Sequence, residues 1–118
     1  MKQGEPGMDF QYEVVNDVLV FEILNKRATV EISGGVKNEL LRQIDDGMNK
    51  VLVNLENAEY VDSSFLGILV AGLKRATMKD GDLKIMGLQP AVKSMFELTR
   101  LYRIFDIFDS KEEALKSF

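Results

Sequence analysis

The chain has 118 residues, 46% of them hydrophobic, which is enough to bury the core of one domain without disulfides or metal ions. Its 15 basic and 19 acidic residues give a formal net charge of -4, which argues against nucleic acid or an anionic membrane as the main partner, because both require clustered positive charge. Cysteine and histidine are absent, which excludes disulfides, thiolate chemistry, Cys/His metal sites and a Ser-His-Asp triad.

Targeting signals are also missing from the sequence. No apolar run approaches the length needed to span a membrane, and the N-terminus lacks the apolar core of a signal peptide. We therefore expect a cytoplasmic protein that is not an enzyme and needs no metal and no cofactor. Residues 1–8 are expected to form a disordered tail, with Met8 as a second candidate start, and residues 9–118 the single domain.

The first two elements are predicted to form an antiparallel hairpin. Phe10, Tyr12 and Val14 alternate with polar residues, as expected for an edge strand with one buried face. A tight turn at residues 16–17 follows, and the run 18–24 is nearly all apolar, so it is predicted to be a more buried strand.

The next segment supplies the first crossover. Residues 25–32 lack a regular pattern and Ser33-Gly34-Gly35 disfavours a helix, so the helix is predicted to begin at Val36. It ends near Gly47, and a strand at residues 51–55 follows. A helix between two strands of one sheet makes those strands parallel.

Two further crossovers complete the predicted sheet. A long helix opens at Asp62-Ser63-Ser64 and closes at Gly81, before a strand at residues 83–86. The remaining elements are a helix beginning at Pro90, a short fifth strand within residues 104–108, and a last helix from a capping box at Ser110 to Phe118. The order β-β-α-β-α-β-α-β-α indicates an α/β domain whose mixed sheet has an N-terminal antiparallel hairpin, then parallel crossovers, with about four helices.

The polar junction Asp62-Ser63-Ser64 is the candidate site. It ends the predicted loop at residues 56–64, which is expected to lie at the edge formed by the carboxyl ends of the strands, together with the loops at residues 25–28 and 87–90. Asp and Ser are preferred N-cap residues, so the junction has a purely structural interpretation. A surplus hydroxyl at a helix N-terminus is also a favourable position for a phosphate. A serine nucleophile and an aspartyl phosphate are both poorly supported, because no base and no acidic pair for Mg²⁺ accompany the junction.

The helix that follows the serines has two candidate faces. A helical wheel centred on Leu66 places Leu69, Val70, Leu73 and Thr77 on the buried side. An outward stripe that is apolar near the serines and basic at its end then consists of Phe65, Ile68, Gly72, Arg75 and Lys79. Such a stripe is typical of a docking surface for a protein with an acidic rim, and the alternative is that neighbouring loops cover Phe65 and Ile68.

These residues resemble a known family, the STAS domains of bacterial anti-sigma-factor antagonists. The resemblance covers roughly residues 9 to 117 and is strongest in VLVNLENAEYVDSSFLGILV (51–70) and GLQPAVKSMFELTRLYRIFDIF (87–108). It implies that Ser63 is phosphorylated by an anti-sigma factor that is an ATP-dependent serine kinase. The unphosphorylated form would bind that kinase and release the sigma factor, and a serine phosphatase would reset the system. Asp62 matches the acid before the phosphoacceptor, and Ser64 the Ser/Thr after it.

Two positions depart from the family pattern. A small residue, commonly Gly, usually follows the serine pair, and this chain has Phe65. An acidic turn usually follows the second strand, where this chain has Asn25-Lys26-Arg27-Ala28, so that Ala28 replaces the acid. Asn25 and Arg27 thus join the predicted partner-binding set. The departures also favour an alternative function, a ligand-sensing (nucleotide or lipid) or scaffold STAS module that is not phosphorylated; a monomer is expected in either case.

Overall fold

The structure of the chain, a computed structural model, describes residues 3–4 and 8–118. Its strands are β1 (Gln3–Gly4), β2 (Phe10–Val15), β3 (Val18–Ile23), β4 (Arg27–Ala28), β5 (Lys50–Asn54), β6 (Tyr60–Val61), β7 (Asp82–Met86) and β8 (Ile107–Phe108). Its α-helices are α1 (Val30–Asp45), α2 (Ser63–Met78), α3 (Pro90–Leu98) and α4 (Lys111–Lys116), and a 3₁₀ turn spans Leu101–Arg103. None of the described helices is long and apolar enough to cross a membrane.

The strands form a six-stranded mixed sheet and a separate two-stranded one. The order in the large sheet is β1-β2-β3-β5-β7-β8, with antiparallel pairing from β1 to β3 and parallel pairing from β3 to β8. The small sheet pairs β4 with β6 in parallel. The predicted fold class is confirmed: an N-terminal antiparallel hairpin leads into parallel crossovers, because helices separate the later strands.

The large sheet carries a core on each face. Helices α1 and α2 cover one face, and the side chains that fill this core include Phe21, Leu40 and Leu69, each 0% exposed. The short helix α4 covers part of the other face, where its Ala114 lies over a smaller apolar group that consists of Val18, Val20, Leu52 and Met86. The amphipathic patterns of the strands and helices therefore determine which face each element buries.

Helix α1 begins six residues before the predicted start, at Val30 rather than Val36. Thr29 has extended backbone geometry at the N-cap, and the Ser33 hydroxyl donates to the Thr29 carbonyl at 2.8 Å. Ile32 is buried on the same face as Val36, so tertiary contacts extend the helix through its two glycines. The prediction was wrong because burial outweighs the propensity cost of about 1 kcal/mol per glycine.

Smaller corrections concern the ends of elements. Helix α2 ends at Met78 rather than at Gly81, although the Gly81 amide still donates to the Ala76 carbonyl at 2.8 Å. The fifth strand is confined to Ile107–Phe108, since the 3₁₀ turn and a bend use the preceding residues. Residues 3 and 4 pair with β2 where a disordered tail was expected. Residues 1–2 and 5–7 of that tail lie outside the described residues.

Gly81 lies where two backbone segments come very close together. A Cβ atom at this position would sit 1.9 Å from the Asn49 carbonyl oxygen, and that oxygen accepts a hydrogen bond from the Asp82 amide at 2.9 Å. By contrast, a Cβ atom at Gly67 in α2 would meet no atom within 4 Å. Glycine is therefore sterically required before β7 and not within α2 at position 67.

Lys84 holds α4 against the sheet. Its side chain is 8% exposed, and its ammonium group donates to the Ser117 carbonyl at 2.8 Å and the Ser117 hydroxyl at 2.9 Å. The Asp106 carboxylate lies 3.7 Å away, and the ammonium group is 4.7 Å from the centre of the Phe118 ring. Lys84 thus joins β7 to the end of α4 through hydrogen bonds and a cation–π contact, and its ion pair reaches Asp106, directly before β8.

A polar network joins β2 to α1. The Tyr12 hydroxyl donates to the Glu39 carboxylate at 3.1 Å, and Gln43 and Arg42 also donate to this carboxylate. Partial burial works to raise the pKa of Glu39, but the hydrogen bonds from Gln43, Arg42 and Tyr12 outweigh it and hold this pKa below its ordinary value of 4.5. Burial and the neighbouring Glu39 charge raise the pKa of Tyr12.

Candidate functional site

The small sheet β4–β6 positions the serine junction. Arg27 lies opposite Tyr60 and Ala28 opposite Val61, and the Asp62 amide donates to the Ala28 carbonyl at 3.2 Å. The loop after β7 reaches the same edge, since the amide group of Gln89 donates to the Glu56 carbonyl at 2.7 Å. The three loops predicted to share one edge of the domain are therefore adjacent.

Asp62 caps two helices at once. Its Oδ1 atom accepts from the Phe65 amide of α2 at 2.9 Å, which confirms the predicted N-cap. Its Oδ2 atom accepts from the Val30 amide, the first residue of α1, at 2.8 Å. Each helix N-terminus carries a partial positive charge, so one carboxylate stabilises both. The second bond spans 32 residues of sequence and was not predicted.

The two serines occupy the first two positions of α2 and are exposed. Within residues 3–4 and 8–118, neither hydroxyl makes a hydrogen bond, so capping leaves both of them free. A phosphate on Ser63 would sit at the positive end of α2, where a dianion is favoured. The arrangement suits a phosphate acceptor, whereas nucleophilic catalysis requires a base hydrogen-bonded to the hydroxyl.

Beside the serines lies a surface that we call the β4–β6 rim, made of Lys26, Arg27, Glu59 and Tyr60. Lys26 pairs with Glu59 at 3.7 Å, and the Arg27 guanidinium lies 5.0 Å from the centre of the Tyr60 ring. The Asn25 side chain accepts from the Arg27 amide at 2.9 Å, which fixes the backbone ahead of β4. Asn25 and Arg27 therefore belong to the segment that pairs with β6, and their role in partner binding stays a prediction.

Two exposed apolar side chains at this edge were missed by sequence reasoning. Tyr60 is 43% exposed and Val30 is 64% exposed. Both belong to elements whose boundaries were misjudged, since β6 was assigned to a loop and the first turn of α1 to irregular chain. Tyr60 is exposed and Val61 is buried, as in a strand with one buried face, but two residues are too few for a sequence pattern to indicate β6.

The predicted apolar docking stripe on α2 is wrong. Phe65 is 0% exposed, Ile68 is 7% exposed, and Gly72 is buried where an added Cβ would lie 2.8 Å from Leu83. Phe65 and Ile68 are covered, as the alternative interpretation expected, and both belong to the main hydrophobic core. Of the residues predicted to face inward, Leu66 and Leu69 are buried, whereas Val70 and Leu73 are half-buried and Thr77 is exposed.

Arg75 and Lys79 lie far from the serines. Arg75 is twelve residues along α2 from Ser63, which corresponds to about 18 Å of helix. Its guanidinium makes two contacts of 2.7 Å with the Asp45 carboxylate at the end of α1. Lys79 is exposed at the C-cap. The structure therefore does not bring these two residues to the candidate site, and a role in partner binding stays a prediction.

The structure explains the two positions that depart from the family pattern, Phe65 and Ala28. Phe65 points into the core, so its size does not obstruct the serine hydroxyls, and its amide makes the cap with Asp62. Ala28 is 0% exposed and contributes its carbonyl to the Asp62 amide. An acid at position 28 would be buried in this fold, so Ala28 satisfies a packing requirement.

A second concave region lies beyond the carboxyl ends of β7 and β8. It is an open groove of about 710 Å³ lined by Leu88, Lys93, Phe96, Glu97, Tyr102, Ile107 and Asp109. Sequence reasoning missed it, because it depends on how α3 and the 3₁₀ turn pack beside β8. In the described part of the chain, no three acidic side chains cluster as a metal site would require.

A sequence model of the STAS domain family matches residues 9–114, and the chain therefore belongs to this family. Its relatives are anti-sigma factor antagonists. A proposed anti-sigma factor antagonist of Thermotoga neapolitana is 31% identical over 108 residues, which cover 91% of this chain and 95% of that protein. The anti-sigma-B factor antagonist of Staphylococcus aureus is 36% identical over 67 residues, covering 57% of this chain and 62% of that protein.

Solved structures share the fold. The crystal structure of a proposed anti-sigma factor antagonist from Thermotoga maritima is similar with a TM-score of 0.84 and 27% identity, covering 92% of each chain. The anti-sigma factor antagonist SpoIIAA in its unphosphorylated form has a TM-score of 0.81 at 19% identity, covering 92% of this chain and 94% of that one. At that identity the likeness to SpoIIAA concerns the fold alone.

Proposed function

We propose that the protein is an anti-sigma-factor antagonist that works as a phosphorylation switch. Its unphosphorylated form binds an anti-sigma factor with serine kinase activity and thereby frees the sigma factor. Phosphorylation of Ser63 ends this binding, and a serine phosphatase restores it. The protein is then a cytoplasmic regulator and substrate rather than an enzyme, works as a monomer, and needs no contact with nucleic acid or membrane.

One observation carries the proposal: Ser63 is exposed, and its hydroxyl makes no hydrogen bond to any of the described residues, 3–4 and 8–118. It directly follows an aspartate that accepts hydrogen bonds from two helices. A kinase needs an accessible hydroxyl in a fixed position. In the transfer, a bond forms between Ser63 Oγ and the γ-phosphorus of ATP while the bond to ADP breaks, and the hydroxyl proton leaves to a base of the kinase.

Charge explains how the phosphate would end binding. The phosphate brings a charge of about -1.5 to -2, which the N-terminus of α2 tolerates in the free protein. Inside an interface the same charge would be desolvated and placed next to Asp62, at a cost of several kcal/mol on the order of a buried unpaired ion. The complex would therefore dissociate while the domain stays folded.

The contacting surface is revised by the burial of the α2 stripe. Phe65, Ile68 and Gly72 lie in the core. The exposed residues beside Ser63 belong to the β4–β6 rim and to the first turn of α1, with Arg27 and Val30 among them. This surface combines apolar groups with charges of both signs, since Glu31 and Glu59 belong to it as well, and it suits a partner whose apolar contact area has a mixed polar rim.

The test is phosphorylation by an anti-sigma serine kinase of the source organism with ATP, followed by mapping of the phosphate by mass spectrometry. Wild type should accept one phosphate on Ser63, Ser63→Ala none, and Ser64→Ala, the matched control, one. Ser63→Glu should lose a pull-down of the kinase that wild type supports. Equal phosphorylation of wild type and Ser63→Ala would refute the assignment.

The groove beside β8 favours a second candidate function, a ligand-sensing or scaffold module. Its volume of about 710 Å³ and its lining, which combines Leu88 and Ile107 with Lys93 and Asp109, suit a small amphipathic molecule. Thermal shift measurements with GTP, ATP or lipid and no protein partner test this function. A saturable rise in melting temperature that Ile107→Ser removes would support it.

A further inference from the structure

We infer that Arg27 is the intramolecular partner of phosphorylated Ser63: its guanidinium leaves the Tyr60 ring and pairs with the phosphate. The inference rests on the proposed phosphorylation of Ser63 and concerns the regulation of that site. Arg27 would then have two roles, exposed on the β4–β6 rim in the unphosphorylated protein and drawn to the phosphate afterwards.

The register of the small sheet places the two residues on neighbouring chains. Arg27 lies opposite Tyr60, and the Asp62 amide donates to the carbonyl of the next residue, Ala28. Ser63 follows at once, three residues and about 10 Å of extended chain beyond Tyr60. A long arginine side chain and a phosphoserine side chain can cover this span between them.

Side-chain direction also suits the pairing. Successive residues of a strand alternate between its two faces, and Ala28 and Val61 point to the buried side, each 0% exposed. Arg27 and Tyr60 therefore share the outer face, as their cation–π contact of 5.0 Å shows. Ser63, at the start of α2, is exposed to solvent as well.

Arg27 is the cation of the rim that is available for a new anion. Lys26 already pairs with Glu59 at 3.7 Å, whereas Arg27 contacts no carboxylate within the described ranges 3–4 and 8–118. Its contact with the Tyr60 ring is exposed to solvent and is therefore weak. A phosphate offers the planar guanidinium two parallel charge-assisted hydrogen bonds instead.

Three acidic side chains near Ser63 would repel a phosphate at this position, so a cationic partner would stabilise it. Asp62 precedes the serine, Glu31 lies exposed in the first turn of α1, and Glu59 belongs to the rim. A dianion on Ser63 would be repelled by all three, and the N-terminus of α2 already has one amide occupied by Asp62. Arg27 would neutralise part of this charge and would be removed from the surface that meets the partner.

The experiment uses the full chain with phosphoserine installed at position 63 during translation, so that no kinase is needed. The phosphate signal is titrated by ³¹P NMR in the wild type, in Arg27→Gln and in Lys26→Gln, each checked for folding by circular dichroism. The second pKa of the phosphate, ordinarily about 6, should be about half a pH unit lower in wild type than in Arg27→Gln. Lys26→Gln, the matched loss of one rim charge, should titrate like wild type.

A second readout follows Arg27 itself. Its side-chain N–H signal in a proton–nitrogen spectrum, identified by its loss in Arg27→Gln, should shift between Ser63 and phosphoserine proteins, whereas Arg75 should not. Equal phosphate titrations in wild type and Arg27→Gln, or an equal effect of Lys26→Gln, would overturn the inference. Because the phosphate is installed without a kinase, a chain that no kinase modifies would refute only the proposed function.

Discussion

The shared cap at Asp62 makes a prediction that separates its two hydrogen bonds. Asp62→Ala removes both acceptors, whereas Asp62→Asn keeps one oxygen and replaces the other by an amide donor. The remaining oxygen can still accept from the Phe65 amide, because Asn is as good an N-cap as Asp. The amide group of Asn then faces the Val30 amide, and two donors cannot pair.

The expected magnitudes follow from the number of bonds lost. An N-cap contributes about 1 kcal/mol, and a hydrogen bond from an exposed amide to a carboxylate contributes a similar amount. Asp62→Asn should therefore lower the free energy of unfolding by about 1 kcal/mol and Asp62→Ala by about 2 kcal/mol. For a chain of 118 residues these losses correspond to falls of about 4 and about 8 °C in melting temperature.

Urea unfolding at neutral pH measures both variants against wild type. Amide hydrogen exchange adds the spatial information, since Asp62→Asn should accelerate exchange in the first turn of α1 and leave the Phe65 amide protected. The reasoning fails if Asp62→Asn is as stable as wild type, because the bond to Val30 would then contribute nothing. It fails equally if Asp62→Asn and Asp62→Ala lose the same amount.

Three further predictions concern the rest of the fold. Lys84→Met should lower the free energy of unfolding by about 1–2 kcal/mol and speed amide hydrogen exchange throughout α4. Lys116→Met, the exposed control, should do neither. Equal exchange rates in the two variants would contradict the role of Lys84. In thermal unfolding, Gly81→Ala should lower the free energy of unfolding by more than about 3 kcal/mol, and Gly67→Ala should raise it by about 0.5–1 kcal/mol. A Gly81→Ala variant as stable as wild type would contradict the close approach between Gly81 and the Asn49 carbonyl. The pKa of Glu39 is lowered in the folded state, so its carboxylate contributes to stability above its ordinary pKa of 4.5 and loses this contribution as pH falls through the folded value. The difference in the free energy of unfolding between wild type and Glu39→Gln should therefore shrink below about pH 4.5. A constant difference from pH 7 to pH 3 would contradict this.

The fold could be predicted from the sequence because its signals are local. The alternation in β2, the apolar runs of β3 and β5 and the Pro at the start of α3 each specify one element within a few residues. The cap between Asp62 and Phe65 is local as well. The bond from Val30 to the same carboxylate depends on the pairing of β4 with β6, which no short-range pattern reports.

The buried face of α2 could not be predicted, for a different physical reason. Residues 65–73 read FLGILVAGL and contain no charged or polar side chain, so a helical wheel has no polar face from which to set its rotation. Contacts with α1 and β7 select the orientation, and Gly72 is buried because it lies against Leu83 and Leu40. The start of α1 was missed for a related reason, since burial of Ile32 outweighs two glycines.

The way the serine is held indicates what kind of switch the site would make. Phe65 anchors the first turn of α2 in the core, and Asp62 ties that turn to α1, so the position of Ser63 is fixed on both sides. A phosphate added to Ser63 Oγ displaces no contact of that oxygen, because the hydroxyl makes no hydrogen bond within the described chain. The proposed switch therefore acts through charge rather than through a change of fold. The guanidinium of Arg27 is the group that would move to pair with the phosphate.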